Sequence, residues 1–395
     1  MQKTHFQAIT QTALAKKYAF ACWKLPKQNH KQLLVDFSEQ TEKVEANLDQ
    51  LGKGFLVSPF VSAEKYFIQA DFYLDSLKEK PKFSPRTQNS DVFLSKKDIF
   101  SQEITQKLVK NKFPQNTSDL PVFVDDPNLG REHYINLVKK GIENIEKGVF
   151  QKVVLSKCKT LDLPENFDLT KKFYELCDQY PNAFVSLVFL PKFGLWIGAS
   201  PEILISQDQN QVLKTVALAG TQANIEGTNV KEVQWSQKEI EEQAMVCRYI
   251  ISCFKKIRLR EYEETGPKTV KAGNLWHLRT DFEVNMKQVN FPNLASTMLD
   301  LLHPTSAVCG TPKNSALNFI LENENYDRNL YSGYWGTVNI ENESHLFVNL
   351  RCAQIWQKQV TFYAGAGITQ DSIPEKEWTE TEIKCNTLQK IILGM

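Results

Sequence analysis

Two mostly apolar runs, Phe184 to Leu190 and Leu195 to Ala199, flank Pro191-Lys192-Phe193-Gly194. They constrain the fold most. Each run has strand length, and a Pro/Gly turn between them reads as a hairpin, which pairs its strands antiparallel. The segments around the hairpin arrive irregularly. Tyr134, Leu137, Val138, Ile142 and Ile145 recur at helical spacing, so 130–147 is expected to be a helix, ended by Gly148. A strand is expected from Phe150 to Leu155, a helix from Leu169 to Tyr180 and a strand from Leu213 to Ala219. A long helix, Lys231 to Ile257, carries many carboxylates. Leu346–Ala353 and Val360–Ala364 read as strands, and Glu375 to Met395 as the last helix. The order lacks the regular strand–helix alternation of a barrel or dinucleotide-binding sheet. One large α+β domain over 1–395 is expected, with 1–125 poor in motifs.

Composition narrows the function. Among 395 residues, 47 Lys+Arg face 46 Asp+Glu, a net charge of +1. A general phosphate-backbone binder needs a basic surplus, so no nucleic-acid partner is expected. No stretch approaches the roughly 18 apolar residues of a membrane helix. Lys16, Lys17 and Lys24 interrupt any apolar core in the first 27 residues. The eight cysteines are dispersed without a C-x-x-C pair, as expected of reduced thiols in a cytoplasmic protein. There is no P-loop and no zinc spacing. Gly198-Ala-Ser-Pro-Glu202 lacks the last glycine of a nucleophile elbow, and its proline opposes the required turn.

Two helices each carry a pair of glutamates three residues apart: Glu239 with Glu242, and Glu377 with Glu380. That spacing puts each pair on one helix face. Two such faces brought together make an all-oxygen site suited to Mg²⁺.

Seven ordered segments then carry a resemblance. They are Lys152-Val-Val-Leu-Ser-Lys157, Gly198-Ala-Ser-Pro-Glu-Ile-Leu204, Ala217-Leu-Ala-Gly-Thr221, Trp276-His-Leu-Arg-Thr280, Leu302-His-Pro-Thr-Ser-Ala-Val308, Tyr363-Ala-Gly-Ala-Gly-Ile368 and Glu377-Trp-Thr-Glu380 with Lys384. Over 130–395 the chain resembles the chorismate-utilising enzymes: isochorismate synthases, salicylate synthases and the synthase components for anthranilate and aminodeoxychorismate. The resemblance implies two stacked, mostly antiparallel sheets flanked by helices, with the active site between them. It implies addition of water to ring carbon 2 of chorismate with loss of the carbon 4 hydroxyl. Lys152 matches the general base and Glu202 the general acid, held on opposite faces of the ring. Glu242 and Glu380 match direct Mg²⁺ ligands, with Glu239 and Glu377 holding its waters. Arg351 and Tyr331 match the binders of the side-chain carboxylate. Gly365 and Gly367 match a close backbone approach to an anion, and Lys384 lies near the bound carboxylate and metal. Thr221 and His277 match polar ring contacts, whereas His303 reads as structural.

Within the family, Lys152 stands where amine-forming relatives generally have Gln, which argues for water as nucleophile and against a glutaminase subunit. Ala219 stands where aminodeoxychorismate enzymes place a nucleophilic Lys. Ala307-Val308 is the small-then-aliphatic pair of isochorismate synthases; salicylate synthases tend to be polar at the first position. The expectation is an isochorismate synthase acting as a monomer, with salicylate synthase and a non-catalytic chorismate binder as the alternatives. Two departures stand out. Tyr334-Trp335 replaces smaller residues, with an expected bearing on loop shape and side-chain selectivity. Glu239 replaces a shorter carboxylate.

Overall fold

The hairpin forms as its sequence dictates. Phe184–Leu190 and Gly194–Ser200 pair antiparallel, and every residue of both strands is buried. A strand covered on both faces has no solvent side, so its residues need not alternate in polarity. The computed structural model describes residues 2–61, 63–78, 81–84, 91–110, 130–223, 229–272 and 275–394. Among them the hairpin lies in the middle of a ten-stranded sheet. From one edge its order is Gly310–Thr311, Lys152–Asp162, Gln359–Ile368, Cys352–Ile355, Gly194–Ser200, Phe184–Leu190, Phe20–Lys24, Gln32–Val35, Phe72–Asp75 and Lys82–Phe83. A nine-stranded sheet runs Glu263–Ala272, Leu275–Asn285, Val212–Ala223, Ile203–Gln207, Glu343–Val348, Tyr334–Ile340, Gly54–Ser58, Lys65–Gln69 and Glu42–Val44. The strand pairings are antiparallel, as the resemblance implies.

Large rings fill the space between the sheets. Phe184 from one sheet stacks on Phe347 from the other at 4.2 Å and 2° between planes. Trp23, Phe55, Trp196, Trp335 and Tyr363 join the same buried cluster. Outside the first sheet, Phe6, Phe173 and Leu388 bring in the helices Gln2–Ala15, Leu169–Gln179 and Pro374–Leu393. Outside the second, Val246, Ile250 and Met298 bring in Gln237–Lys256 and Leu294–Leu302. No helix is long and apolar enough to cross a membrane among the described residues.

The motif-poor first third contributes strands to both sheets. Tyr334 and Trp335, whose bulk was expected to bear on selectivity, are each 1% exposed, and Trp335 belongs to the cluster between the sheets. Neither lines the cleft described below.

Three expected boundaries change for physical reasons. The carboxylate-rich helix starts at Gln237 rather than Lys231, because Glu239 turns back to accept from the Ser236 amide at 2.7 Å and closes the first turn. The strand expected at Phe150 to Leu155 is Lys152–Asp162, carried further by pairing with Gln359–Ile368. Leu346–Ala353 is not one strand. Glu343–Val348 belongs to the second sheet and Cys352–Ile355 to the first, with Arg351 between them at φ 48°. A matching crossover joins Gly194–Ser200 to Ile203–Gln207 in the opposite sense.

If the inter-sheet stack holds the layers together, Phe347→Ala should lower unfolding free energy by about 3–5 kcal/mol, the usual cost of truncating a buried ring. Urea titration should show a lower midpoint with unchanged slope. A loss under about 1 kcal/mol would place the stabilising contacts elsewhere.

Candidate active site

The two crossovers run side by side and satisfy each other. The Ala199 amide donates to the Arg351 carbonyl at 2.9 Å, the Val348 amide to the Glu202 carbonyl at 3.0 Å, and the Ser200 hydroxyl to the Val348 carbonyl at 2.5 Å. Gly198 permits this approach, since a Cβ there would come within 2.8 Å of the Arg351 carbonyl oxygen. Glu202 and Arg351 therefore open into one cleft, bounded also by Gln237–Lys256, Pro374–Leu393 and the glycine-rich end of Gln359–Ile368.

Glu202 keeps some surface toward the cleft, but its carboxyl lies deep. Burial pushes its pKa up to about 7, against the opposing pull of Lys152, Lys384 and Arg351. Lys152 is 2% exposed at the start of its strand. Its Nζ donates to Glu242 Oε1 at 2.8 Å. The side chain runs behind Gly367, where a Cβ would come within 2.9 Å of Lys152 Cε. Lys152 is not itself part of the cleft lining; it lies directly behind Gly367 and Glu242, which are.

The four glutamates separate into distinct roles. Glu242 and Glu380 line the cleft from the two helices. Burial pushes each carboxyl up, but Lys152 holds Glu242 below the usual carboxylate range, and Lys384 does the same for Glu380. Lys384 Nζ donates to Glu380 Oε1 at 2.6 Å and to the Gly365 carbonyl at 2.7 Å. Glu377 is buried behind this front, and burial raises its pKa. Lys238 approaches it at 3.7 Å from the opposite helix. Glu239 also borders the cleft, yet its carboxylate is engaged by the Ser236 amide and by Gln222 at 3.0 and 3.1 Å.

Among the described residues, no three His, Cys, Asp or Glu side chains converge to hold a metal between them. Two facing carboxylates fit a cation that takes few protein ligands and completes its shell with water and substrate oxygens. Mg²⁺ behaves in that way.

The cationic side is built for an anion. Among the described residues no carboxylate forms an ion pair with Arg351, although its guanidinium lies deep enough for burial to lower its pKa. A guanidinium at a cleft wall without an ion-pair partner, with Glu380 as the carboxylate acting on it from nearby, suits a negatively charged ligand. Tyr331 lies near it, 3% exposed and stacked on Tyr363 at 5.4 Å. His277 Nδ1 lies 2.8 Å from the Gly220 carbonyl and so carries its hydrogen. Burial lowers the His277 pKa to about 4, so the ring is neutral and its other nitrogen is an acceptor. Ala307 lines the wall beside Val308. The side chain of Thr221 lies outside the described residues.

Sequence reading missed several wall residues. Val154, Leu218 and Leu350 give the cleft its apolar lining, and apolar residues on strands or at a crossover carry no chemical signature. Lys238, one residue before Glu239, had a weak signal in the charge pattern of its helix.

Residues 79–393 match the family model described as chorismate binding enzyme. The isochorismate synthase EntC of Escherichia coli (strain K12) is 30% identical over 245 residues, 61% of this chain and 62% of that protein. The isochorismate synthase DhbC of Bacillus subtilis (strain 168) is 30% identical over 271 residues, 65% of this chain and 67% of that protein. The match therefore spans less than two thirds of EntC. The solved structure of MenF, the menaquinone-specific isochorismate synthase from Escherichia coli, superposes with a TM-score of 0.78 at 21% identity, covering 97% of this chain and 91% of that one. That likeness extends the shared fold to the first third, where the sequence motifs are silent. Paired crossovers, facing carboxylates and an ordered motif set thus occur within a family match over most of the length, and the chain belongs to the chorismate binding enzymes.

Proposed function

We propose that this protein is an isochorismate synthase that converts chorismate to isochorismate. One observation carries the reading: Glu202, its pKa pushed up by burial to about 7, faces a cleft lined also by Glu242, Glu380 and Arg351, with Lys152 paired to Glu242 just behind the wall. Relatives that carry the isochorismate synthase name support it.

The chemistry follows from the positions. Chorismate is a dianion, and Arg351 with Tyr331 takes its side-chain carboxylate. Lys152 removes a proton from water as the oxygen bonds to ring carbon 2. The ring double bonds shift, and Glu202 gives its proton to the departing carbon 4 hydroxyl. One water enters and one leaves, so the product is an isomer. Lys152 accepts that proton as the neutral amine, and its 2.8 Å contact with Glu242 places a carboxylate to stabilise the ammonium that results. Glu242 and Glu380 would hold Mg²⁺ directly, with Glu239 and Glu377 toward its waters; the ion would neutralise and orient the ring carboxylate. His277 and Thr221 contact the ring, and Lys384 stays beside the bound carboxylate. Water comes from solvent, so the reaction needs no ammonia-producing subunit; we propose that the chain acts as a cytoplasmic monomer.

Incubation with chorismate and Mg²⁺, followed by chromatography, tests the reading. Isochorismate is the expected product. Salicylate with pyruvate would make it a salicylate synthase, and unchanged chorismate would leave a non-catalytic binder.

Glu202→Gln should lower kcat by about 10²–10⁴-fold, the usual contribution of a general acid. In the unmodified protein the proton on Glu202 is present below about pH 7 and lost above it. A limb of the kcat/KM profile near that value should therefore be absent from the residual activity of Glu202→Gln, and a limb that persists there unchanged would remove Glu202 as the acid. Arg351→Ala should raise KM by an amount equivalent to about 2–5 kcal/mol. An unchanged KM moves the carboxylate anchor elsewhere. Glu242→Ala should weaken Mg²⁺ binding in calorimetry, and equal affinity in both proteins would exclude it as a ligand.

A further inference from the structure

A second buried charge pair lies behind the cleft, and the proposed chemistry does not use it. Glu324 follows the helix Lys313–Asn323, and Arg328 lies four residues further on. Their side chains are 1% and 2% exposed. Arg328 Nε donates to Glu324 Oε2 at 2.7 Å, and Nη2 donates to Oε1 at 2.5 Å. Burial works against the charge on Arg328, but Glu324 outweighs it and raises the guanidinium pKa.

The remaining hydrogen bonds reach out to the walls of the active site. Arg328 Nη1 donates to the Val308 carbonyl at 2.9 Å, and Nη2 to the Val154 carbonyl at 2.7 Å. Glu324 Oε1 accepts from the Ser156 amide at 2.7 Å and from its hydroxyl at 3.0 Å. The Arg328 guanidinium lies over the Phe60 ring at 4.3 Å, and the Tyr331 amide donates to the Arg328 carbonyl at 2.9 Å.

Sheet topology explains the need for these contacts. Among the described residues, the strand on the outer side of Lys152–Asp162 is Gly310–Thr311, whose register pairs it with Val153 and Lys152. Beyond it the Val154 amide still reaches the Cys309 carbonyl at 2.8 Å, but the Val154 carbonyl and the Ser156 amide require other partners. Arg328 and Glu324 supply them as a neighbouring strand would. The same pair grips the segment carrying Ala307 and Val308, and through its own backbone the segment carrying Tyr331. A guanidinium–carboxylate fork has fixed directions, so it conveys geometry as well as charge.

We infer that Glu324 and Arg328 are positioning residues: they act as a surrogate edge strand that sets the Lys152 strand against the Ala307–Val308 wall and Tyr331. The inference rests on the reading of Lys152 as the base. Tyr331 shifts with the network, but Arg351, the charged anchor of the substrate carboxylate, sits on the crossovers outside it, so loss of the pair should affect turnover more than substrate capture.

The test compares purified Arg328→Lys and the charge-free pair Glu324→Gln with Arg328→Met. Stability is read by urea denaturation, and kcat and KM are measured with chorismate. Arg328→Lys keeps the charge but loses the fork. The double variant removes the buried charges together, avoiding the isolated charge that single removal leaves. A folded variant should lose at least about tenfold in kcat, the scale of a small misplacement of reacting groups, with KM within about threefold of the parent. A folded variant with kcat within twofold of the parent, or with a change in KM alone, overturns the inference. If neither variant folds, Ser156→Ala decides: a threefold or larger fall in kcat at constant KM supports the inference, and parental kcat overturns it. Lys152→Ala runs alongside. Turnover in that variant defeats the base assignment, whereas its inactivity beside a fully active Arg328→Lys defeats only the positioning role.

Discussion

The arrangement depends on two adjacent crossovers between the sheets. A chain leaving a sheet abandons its ladder, and its buried amides and carbonyls then need other partners. Here each crossover supplies them to the other, through Ala199 with Arg351 and Val348 with Glu202. Arg351 accepts a left-handed backbone, φ 48°, a conformation uncommon for a residue with a side chain. The interlocked turns put the side chains of Glu202 and Arg351 into the same cleft. The positions of Glu202 and Arg351 are therefore consequences of one backbone solution, and Gly198 is the residue whose smallness allows it.

Around that frame, charges are balanced locally. Lys152 is matched by Glu242 and Lys384 by Glu380, while Arg351 has no such partner among the described residues. Charges out of bulk water persist only when paired or hydrogen-bonded. The proposed dianion and divalent cation would exchange with these pairs, so binding redistributes compensation already in place. The near-zero net charge of the chain fits recognition by a few placed groups rather than by a broad field.

The expected site residues came mostly from the resemblance carried by seven ordered segments, and the residue chemistry alone pointed to the paired glutamates. Pro201 spoke only against a nucleophile elbow, and Glu202 was singled out by the resemblance of its segment, whereas paired glutamates on two helices point to a hard cation by their spacing. The fold from residue 130 onward was legible wherever periodicity was long. The first-third strands Phe20–Lys24, Gln32–Val35 and Gly54–Ser58 were not, because they are short, wholly buried and lack polar alternation. Leu346 to Ala353 was read as one strand because an apolar run continues through the crossover, and hydrophobicity does not say which sheet a residue joins. Glu239 illustrates competition for a side chain, since the helix N-terminus claims a carboxylate that its spacing offers to the cation site. Glu324 gave no signal at all: a glutamate just past a helix end is ordinarily solvated, and only the unfinished sheet edge shows why this one is buried.

The central claim is that burial at the paired crossovers keeps Glu202 protonated near neutral pH. The most direct measurement is its own titration, followed by carbon-13 NMR of labelled glutamate carboxyls and assigned by loss of one resonance in Glu202→Gln. The account expects a midpoint near 7 in the free protein. A midpoint near the ordinary glutamate value of about 4.3 would contradict it, leaving the cleft without its proton donor.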